Sequence, residues 1–132
     1  MIAMTIPAGI TREHIDGFEL YRGAVNKDKT PGCVVLVKVD TENAEVAREW
    51  VDAVFHAIET DPDLPREGGI SAHFHISADG KRVINYAEWI SEEAHVAALE
   101  APGQGVGSDT PEWRRVQNFP GVTPVGFDRY SI

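Results

Sequence analysis

The chain reads as an α+β domain of the ferredoxin-like type, a split βαβ unit on an antiparallel sheet. Three observations predict it. A valine-rich apolar run, Cys33 to Val39, leads directly into helix-capping residues and a long helical stripe. Two strand-like runs then flank Asp79-Gly80, a strong short-range hairpin signal. A second capped helix, a glycine-rich stretch, a short third helix and a closing strand complete the order β-α-β-β-α-(α)-β.

With 132 residues the chain is expected to form one domain with a real core, preceded by an arm. The division is residues 1–32 for the N-terminal arm and 33–132 for the ferredoxin-like domain. A net charge of −9 leaves no basic footprint for nucleic acid or an anionic membrane. The single cysteine, Cys33, excludes an internal disulfide framework, and it opens a strand as a small core residue. Nothing resembles a signal peptide or a membrane span, so a cytoplasmic location is expected.

Phe18 to Ala24 is expected to pair as an edge strand, and Asn26 to Gly32 is turn chemistry. Whether the arm packs on a neighbour or hangs loosely is open at this level. After the Cys33–Val39 strand, Asp40, Thr41 and Asn43 supply caps for a helix reaching about Thr60. Ala47, Val51, Val54 and Ile58 recur on it at helical spacing, widened by Trp50 and Phe55, and predict its buried face. Residues 61–69 form a proline-and-glycine loop. Ser91 caps the second helix, with Glu92 and Glu93 at its positive end. Residues 101–109 form a linker long enough to act as a lid. Thr110-Pro111 opens the third helix, which carries Trp113, Val116 and Phe119. Pro124 confines the last strand to an edge, because proline cannot donate to a ladder.

A two-residue turn at Asp79-Gly80 sets the hairpin register. Ile76 then faces Val83, Phe74 faces Asn85, Ala72 faces Ala87 and Ile70 faces Trp89. That side is apolar except at Asn85, and burying an amide without partners costs about 1–3 kcal/mol. Two readings stand. Asn85 is a structural amide bonded to backbone, or it is a polar anchor in an otherwise apolar ligand pocket. Trp89 on the same wall brings a second directional donor, which favours the pocket. Ile70, Ala72, Phe74 and Trp113 are its expected walls, suited to a flat aromatic ligand.

The opposite side carries His73, His75, Ile84 and Tyr86. It is too apolar to leave wet, and the chain's own helices cannot reach it, so a second copy is expected to cover it as a homodimer. His73 and His75 leave the sheet together, but only Glu88 is near as a third ligand. Interface packing is therefore preferred to a metal site.

The hairpin resembles the antibiotic biosynthesis monooxygenase family, and most closely its polyketide quinone-forming branch. The motif S-A-x-x-H-x-S-x-D-G stands here as Ser71, Ala72, His75, Ser77, Asp79 and Gly80. V-x-N-Y-A-x-W follows as Val83, Asn85, Tyr86, Ala87 and Trp89. The Ser91-Glu92 helix start with Ala94 continues the match, over roughly residues 68–99. The resemblance implies a dimeric α/β barrel that uses no metal, flavin or haem. A bound phenol or enol of a small polycyclic aromatic is deprotonated, and its anion reduces O₂ to give a quinone. It places Asn85 and Trp89 at the substrate oxygen.

Where the relatives carry a tyrosine six residues after the tryptophan, this chain has His95, which can serve as acid or base near neutral pH. If His95 takes the substrate proton, only its neutral form works. The relatives' basic third-helix residue corresponds to Arg114 or Arg115. Haem-degrading members require an axial histidine on that helix, and Pro111 to Asn118 contains none. A non-redox polyketide cyclase or isomerase, or a non-catalytic ligand-binding protein, would use the same pocket.

Overall fold

The computed structural model describes residues 6–25, 28–61, 68–100 and 110–132. The expected lid, 101–109, and most of the 61–69 loop lie outside the described residues. The described elements are β1 (Phe18–Val25), β2 (Cys33–Thr41), α1 (Ala44–Thr60), β3 (Gly69–Ser77), β4 (Arg82–Trp89), α2 (Glu92–Glu100), α3 (Pro111–Gln117) and β5 (Val122–Ser131). The strands form one antiparallel sheet in the order β1-β3-β4-β2-β5. The last four are the ferredoxin-like set, and β1 extends their edge.

Caps and periodicity place α1 as expected. Asn43 is its N-cap, accepting from the Val46 amide at 2.9 Å, and Ala47, Trp50, Val51, Val54 and Phe55 face the sheet. Thr41 serves the turn instead, donating its hydroxyl to the Gly80 carbonyl at 2.6 Å. Thr110 caps α3 and the Ser91 hydroxyl caps α2.

The hairpin keeps the expected register from Ser71↔Glu88 to Ile76↔Val83, but both of its ends differ. Only Gly80 has positive φ, +72°, and a Cβ there would run into the Ala44 backbone. Asp79 keeps negative φ, and its carboxylate accepts from the Lys81 amide (2.9 Å) and the Ser77 hydroxyl (2.7 Å). The result is a four-residue loop, 78–81, rather than a two-residue primed turn. At the far end a bulge shifts the pairing, so Trp89 lies opposite Gly69 and not Ile70.

The helices cover one side of the sheet in two separate patches. Under α1 and α3, Trp50, Val51, Val54, Phe55, Phe74, Trp113, Val116 and Phe119 form the main core. Under α2, Cys33, Val35, Ala87, Trp89 and Ala98 form a smaller one. Burial pushes the Cys33 thiol upward, consistent with a packing role.

The other side overturns the argument for a bare dimer face. His73, His75, Ile84 and Tyr86 are buried, and the chain's own residues 6–18 bury them. Ile15 packs with Val34, Leu36, Ile84, Tyr86 and Tyr130, supported by Ile6, Ile10 and Phe18. Arg12 pairs with Glu88 at 2.9 Å, and the His75 Nε2 donates to the Arg12 carbonyl at 3.1 Å. The arm follows no helical or strand period, which is why its apolar residues carried no signal of where they pack.

Candidate active site

Strand register lays out the helix-covered side in rows. One row runs Arg22–Phe74–Asn85–Val37–Phe127 across all five strands. The next, toward α2, runs Ala24–Ala72–Ala87–Val35–Arg129. Asn85 and Val37 sit on central strands, where burial is normally complete, yet both are only half-buried, as is Ala72. In the second row Ala87 and Val35 are buried under α2 while Ala72 is half-buried against the main core, so Asn85 stands where the two helical patches meet.

The structural reading of Asn85 finds its partner in the backbone of β3. Its Oδ1 accepts from the His73 backbone amide at 3.0 Å, which ties the side chain to β3. Its Nδ2 makes no hydrogen bond to a described residue. Trp89 is buried, and its indole N–H likewise has no acceptor among the described residues. Two N–H donors thus stand unpaired on β4, on the same side of the sheet.

His95 is brought to this group by α2. It is 3% exposed, on the stripe with Ala94, Ala98 and Leu99 that faces the sheet. Its ring lies 5.2 Å from that of Trp89 and 5.2 Å from that of Phe127, edge-on to the latter. The Arg129 Nε donates to its Nδ1 at 3.1 Å. Burial, reinforced by the Arg129 charge, lowers its pKa to about 4, so His95 is neutral near pH 7.

Of the remaining sequence-predicted residues, Phe74 lies opposite Asn85 and Ala72 opposite Ala87, while Trp113 lies in the α1–α3 core. Phe74 is edge-on to Phe55 at 5.5 Å and to Trp50 at 6.0 Å, inside the α1–α3 core. Trp113 belongs to the same core, and its indole N–H donates to the buried Asp61 carboxylate at 2.8 Å. Arg114 and Arg115 are exposed, Arg115 over the Phe119 ring. Ile70 is buried but displaced from Trp89 by the bulge. Ala72 alone among the expected walls lies in the second row, half-buried against the main core. Phe127 and Arg129 went unnoticed in the sequence. Alternation along β5 puts both on the helix-covered side, and pairing β5 with β2 by register would have found them.

A depression of about 280 Å³ lies on the flank of α2, lined by Glu92, Glu93, Val96, Ala97 and Arg129. Asn85, Trp89 and His95 do not line it, so Arg129 is the residue common to this depression and the His95 cluster. His73 and His75 find no group of metal ligands among the described residues. No described helix is long and apolar enough to cross a membrane.

No family model matches the chain. The tetracenomycin-F1 monooxygenase of Streptomyces glaucescens is 42% identical to it over 65 residues, 48% of this chain and 55% of that protein. The match thus spans about half the length of this curated relative. Among solved structures, the Streptomyces coelicolor monooxygenase ActVA-Orf6, in complex with nanaomycin D, superposes with a TM-score of 0.56 at 26% identity. That match covers 77% of this chain and 88% of the other. The heme-degrading enzyme LmHde of Listeria monocytogenes shares the fold, with a TM-score of 0.52 at 14% identity over 86% of this chain and 69% of its own. The resemblance to the antibiotic biosynthesis monooxygenases is therefore carried by sequence and fold alike.

Proposed function

We propose that this chain is a cofactor-independent monooxygenase that oxidises a phenolic or enolic polycyclic aromatic of the polyketide type to a quinone. The observation that carries the reading is the pair of unpaired donors, Asn85 Nδ2 and Trp89 Nε1, on one side of β4. Neutral N–H groups fixed on a strand and partly shielded from water suit an anionic oxygen. Such donors are generally worth a few kcal/mol each as negative charge develops. The similarity to a tetracenomycin-F1 monooxygenase and to a nanaomycin D complex supports the substrate class.

The bound substrate anion supplies all the electrons. One oxygen atom of O₂ becomes the new carbonyl and the other leaves as water, so no external reductant is required. The protein's task is to hold the aromatic plane against the sheet with its oxygen toward Asn85 and Trp89. The His95 ring lies 5.2 Å from that of Trp89. The resemblance also implies a cytoplasmic homodimer, in which residues 6–18 would take part in the contact in place of a bare His73–Tyr86 face.

Oxygen-electrode measurements with an anthrone or a naphthol test the proposal. One O₂ consumed per quinone formed, by protein stripped of metal and flavin, is expected. A turnover that rearranges or cyclises the substrate without O₂ uptake identifies a non-redox cyclase or isomerase instead. Saturable binding without turnover identifies a ligand-binding protein.

A further inference from the structure

We propose that Arg129 is a positioning residue that holds His95 as the Nε2–H tautomer, making His95 a hydrogen-bond donor to the substrate anion and not its base. The donor role rests on the oxygenase reading above. The tautomer assignment stands on geometry alone.

A guanidinium has N–H donors and no acceptor. With the Arg129 Nε donating to the His95 Nδ1 at 3.1 Å, that nitrogen must present its lone pair. A neutral imidazole carries one proton, which is then left to Nε2. A second proton would have to enter at Nδ1, against the Arg129 N–H and beside its positive charge. The groups facing the ring do not offset this. They are Trp89 from β4, with Phe127 and Arg129 from β5. The nearby carboxylate of Glu92 accepts from the Ser131 hydroxyl, and Glu93 lines the flank depression. The Phe127 ring, 5.6 Å from the Arg129 guanidinium, steadies the arginine by a cation–π contact.

Both nitrogens are thereby closed to proton uptake, Nδ1 by the guanidinium and Nε2 by its own hydrogen. Among the described residues the cluster offers N–H donors from Asn85, Trp89 and His95 and no base. The substrate must then arrive already ionised, or nearly so. This narrows the class to phenols and enols acidic enough to lose their proton to water near neutral pH, such as those conjugated to a carbonyl.

Long-range ¹H–¹⁵N spectra of the uniformly labelled protein read the tautomer without any substrate. One lone-pair nitrogen at Nδ1 and one protonated nitrogen at Nε2 are expected for His95 at neutral pH. In Arg129→Met, which keeps the packing stem, the two tautomers should mix and the ring pKa should rise from about 4 toward the ordinary histidine range. A wild-type Nδ1–H pattern overturns the proposal. So does a pattern unchanged in a folded Arg129→Met or Arg129→Ala.

Turnover of polycyclic phenols whose hydroxyl is conjugated to a carbonyl and ionised at neutral pH tests the donor role. His95→Gln, whose amide N–H reaches toward the place of Nε2, should stay within about tenfold of wild type, while His95→Phe should fall ~10²-fold. The pH profile should move with the acidity of the substrate chosen. Equal collapse of both variants, with a limb fixed whatever the substrate, restores His95 as the base. Should no phenolic probe turn over at all, the oxygenase reading fails while the wild-type spectrum still decides the role of Arg129.

Discussion

The two ends of the helix-covered side treat the same chemical group in opposite ways. Beneath α1 and α3 every tryptophan is satisfied: Trp50 donates to the Val116 carbonyl at 3.2 Å and Trp113 to Asp61 at 2.8 Å. Beneath α2 the indole of Trp89 is buried as deeply but finds no described acceptor, and Asn85 holds out a second free donor. The core end is packed from the long α1 and the short α3 with aromatic and branched side chains. The α2 end is roofed by alanines and backed by an alanine row. A buried donor is ordinarily paired, because an orphan costs about 1–3 kcal/mol. Neither the Asn85 nor the Trp89 N–H is fully sealed from solvent, so neither carries that cost, and each is open to water or to a ligand. Aromatic residues alone did not separate the ends, since Phe74 and Trp113 have the composition of a pocket wall and the contacts of a core.

Substitution at the two ends should separate stability from activity. Trp113→Ala empties a well-packed site and should cost about 3–5 kcal/mol in urea denaturation, with the turnover of the folded fraction intact. Asn85→Ala and Trp89→Phe should reverse the pattern. Stability should fall by about 1 kcal/mol, as the His73 amide or part of an aromatic contact is lost, and the rate by ~10²-fold. Stability losses of equal size at both ends, without a rate effect, would erase the distinction.

The histidines allow a second comparison, between the two sides of the sheet. Burial lowers the pKa of His73 and His75 under the arm and of His95 under α2. For His95 the unfolded chain takes up a proton near pH 6.5, whereas the folded ring refuses it until about pH 4. Its contribution to stability is complete above pH 6.5 and is lost as pH falls through that window, on the order of 3 kcal/mol in all. His73 and His75 act with the same sign. Denaturation at pH 7 and pH 4.5 should show a smaller acid loss in His95→Gln than in wild type. An undiminished loss would assign the acid sensitivity to the arm side.

The smallest effect is expected at the arm. Arg12→Ala leaves Glu88, whose side chain is 5% exposed, with only the Ser71 hydroxyl at 2.8 Å among the described residues. Because Arg12 itself is partly solvated, the cost should be about 1–2 kcal/mol, with no change in turnover. A loss of activity at equal stability would mean that the arm acts on the site through β4.

Local pattern was enough for much of this molecule. Alternation fixed which residues of β3 and β4 share a side, and the helical stripe and caps fixed the buried face and start of α1. It also placed Asn85 and Trp89 on one wall. Each of these depends on residues a few positions apart, where backbone geometry dictates direction. The rest depended on contacts between distant segments. The bulge that moves Ile70 away from Trp89 and the collapse of residues 6–18 onto His73, His75 and Tyr86 have no period to betray them. Phe74 and Trp113 went to the core because α1 and α3 close over them. Arg129, 34 positions from His95 in the chain, meets it only because β5 returns beside β2 and under α2. Periodicity tells a side chain which way to face, but the partner it meets is set by how the elements pack, and the chemistry of His95 was decided there.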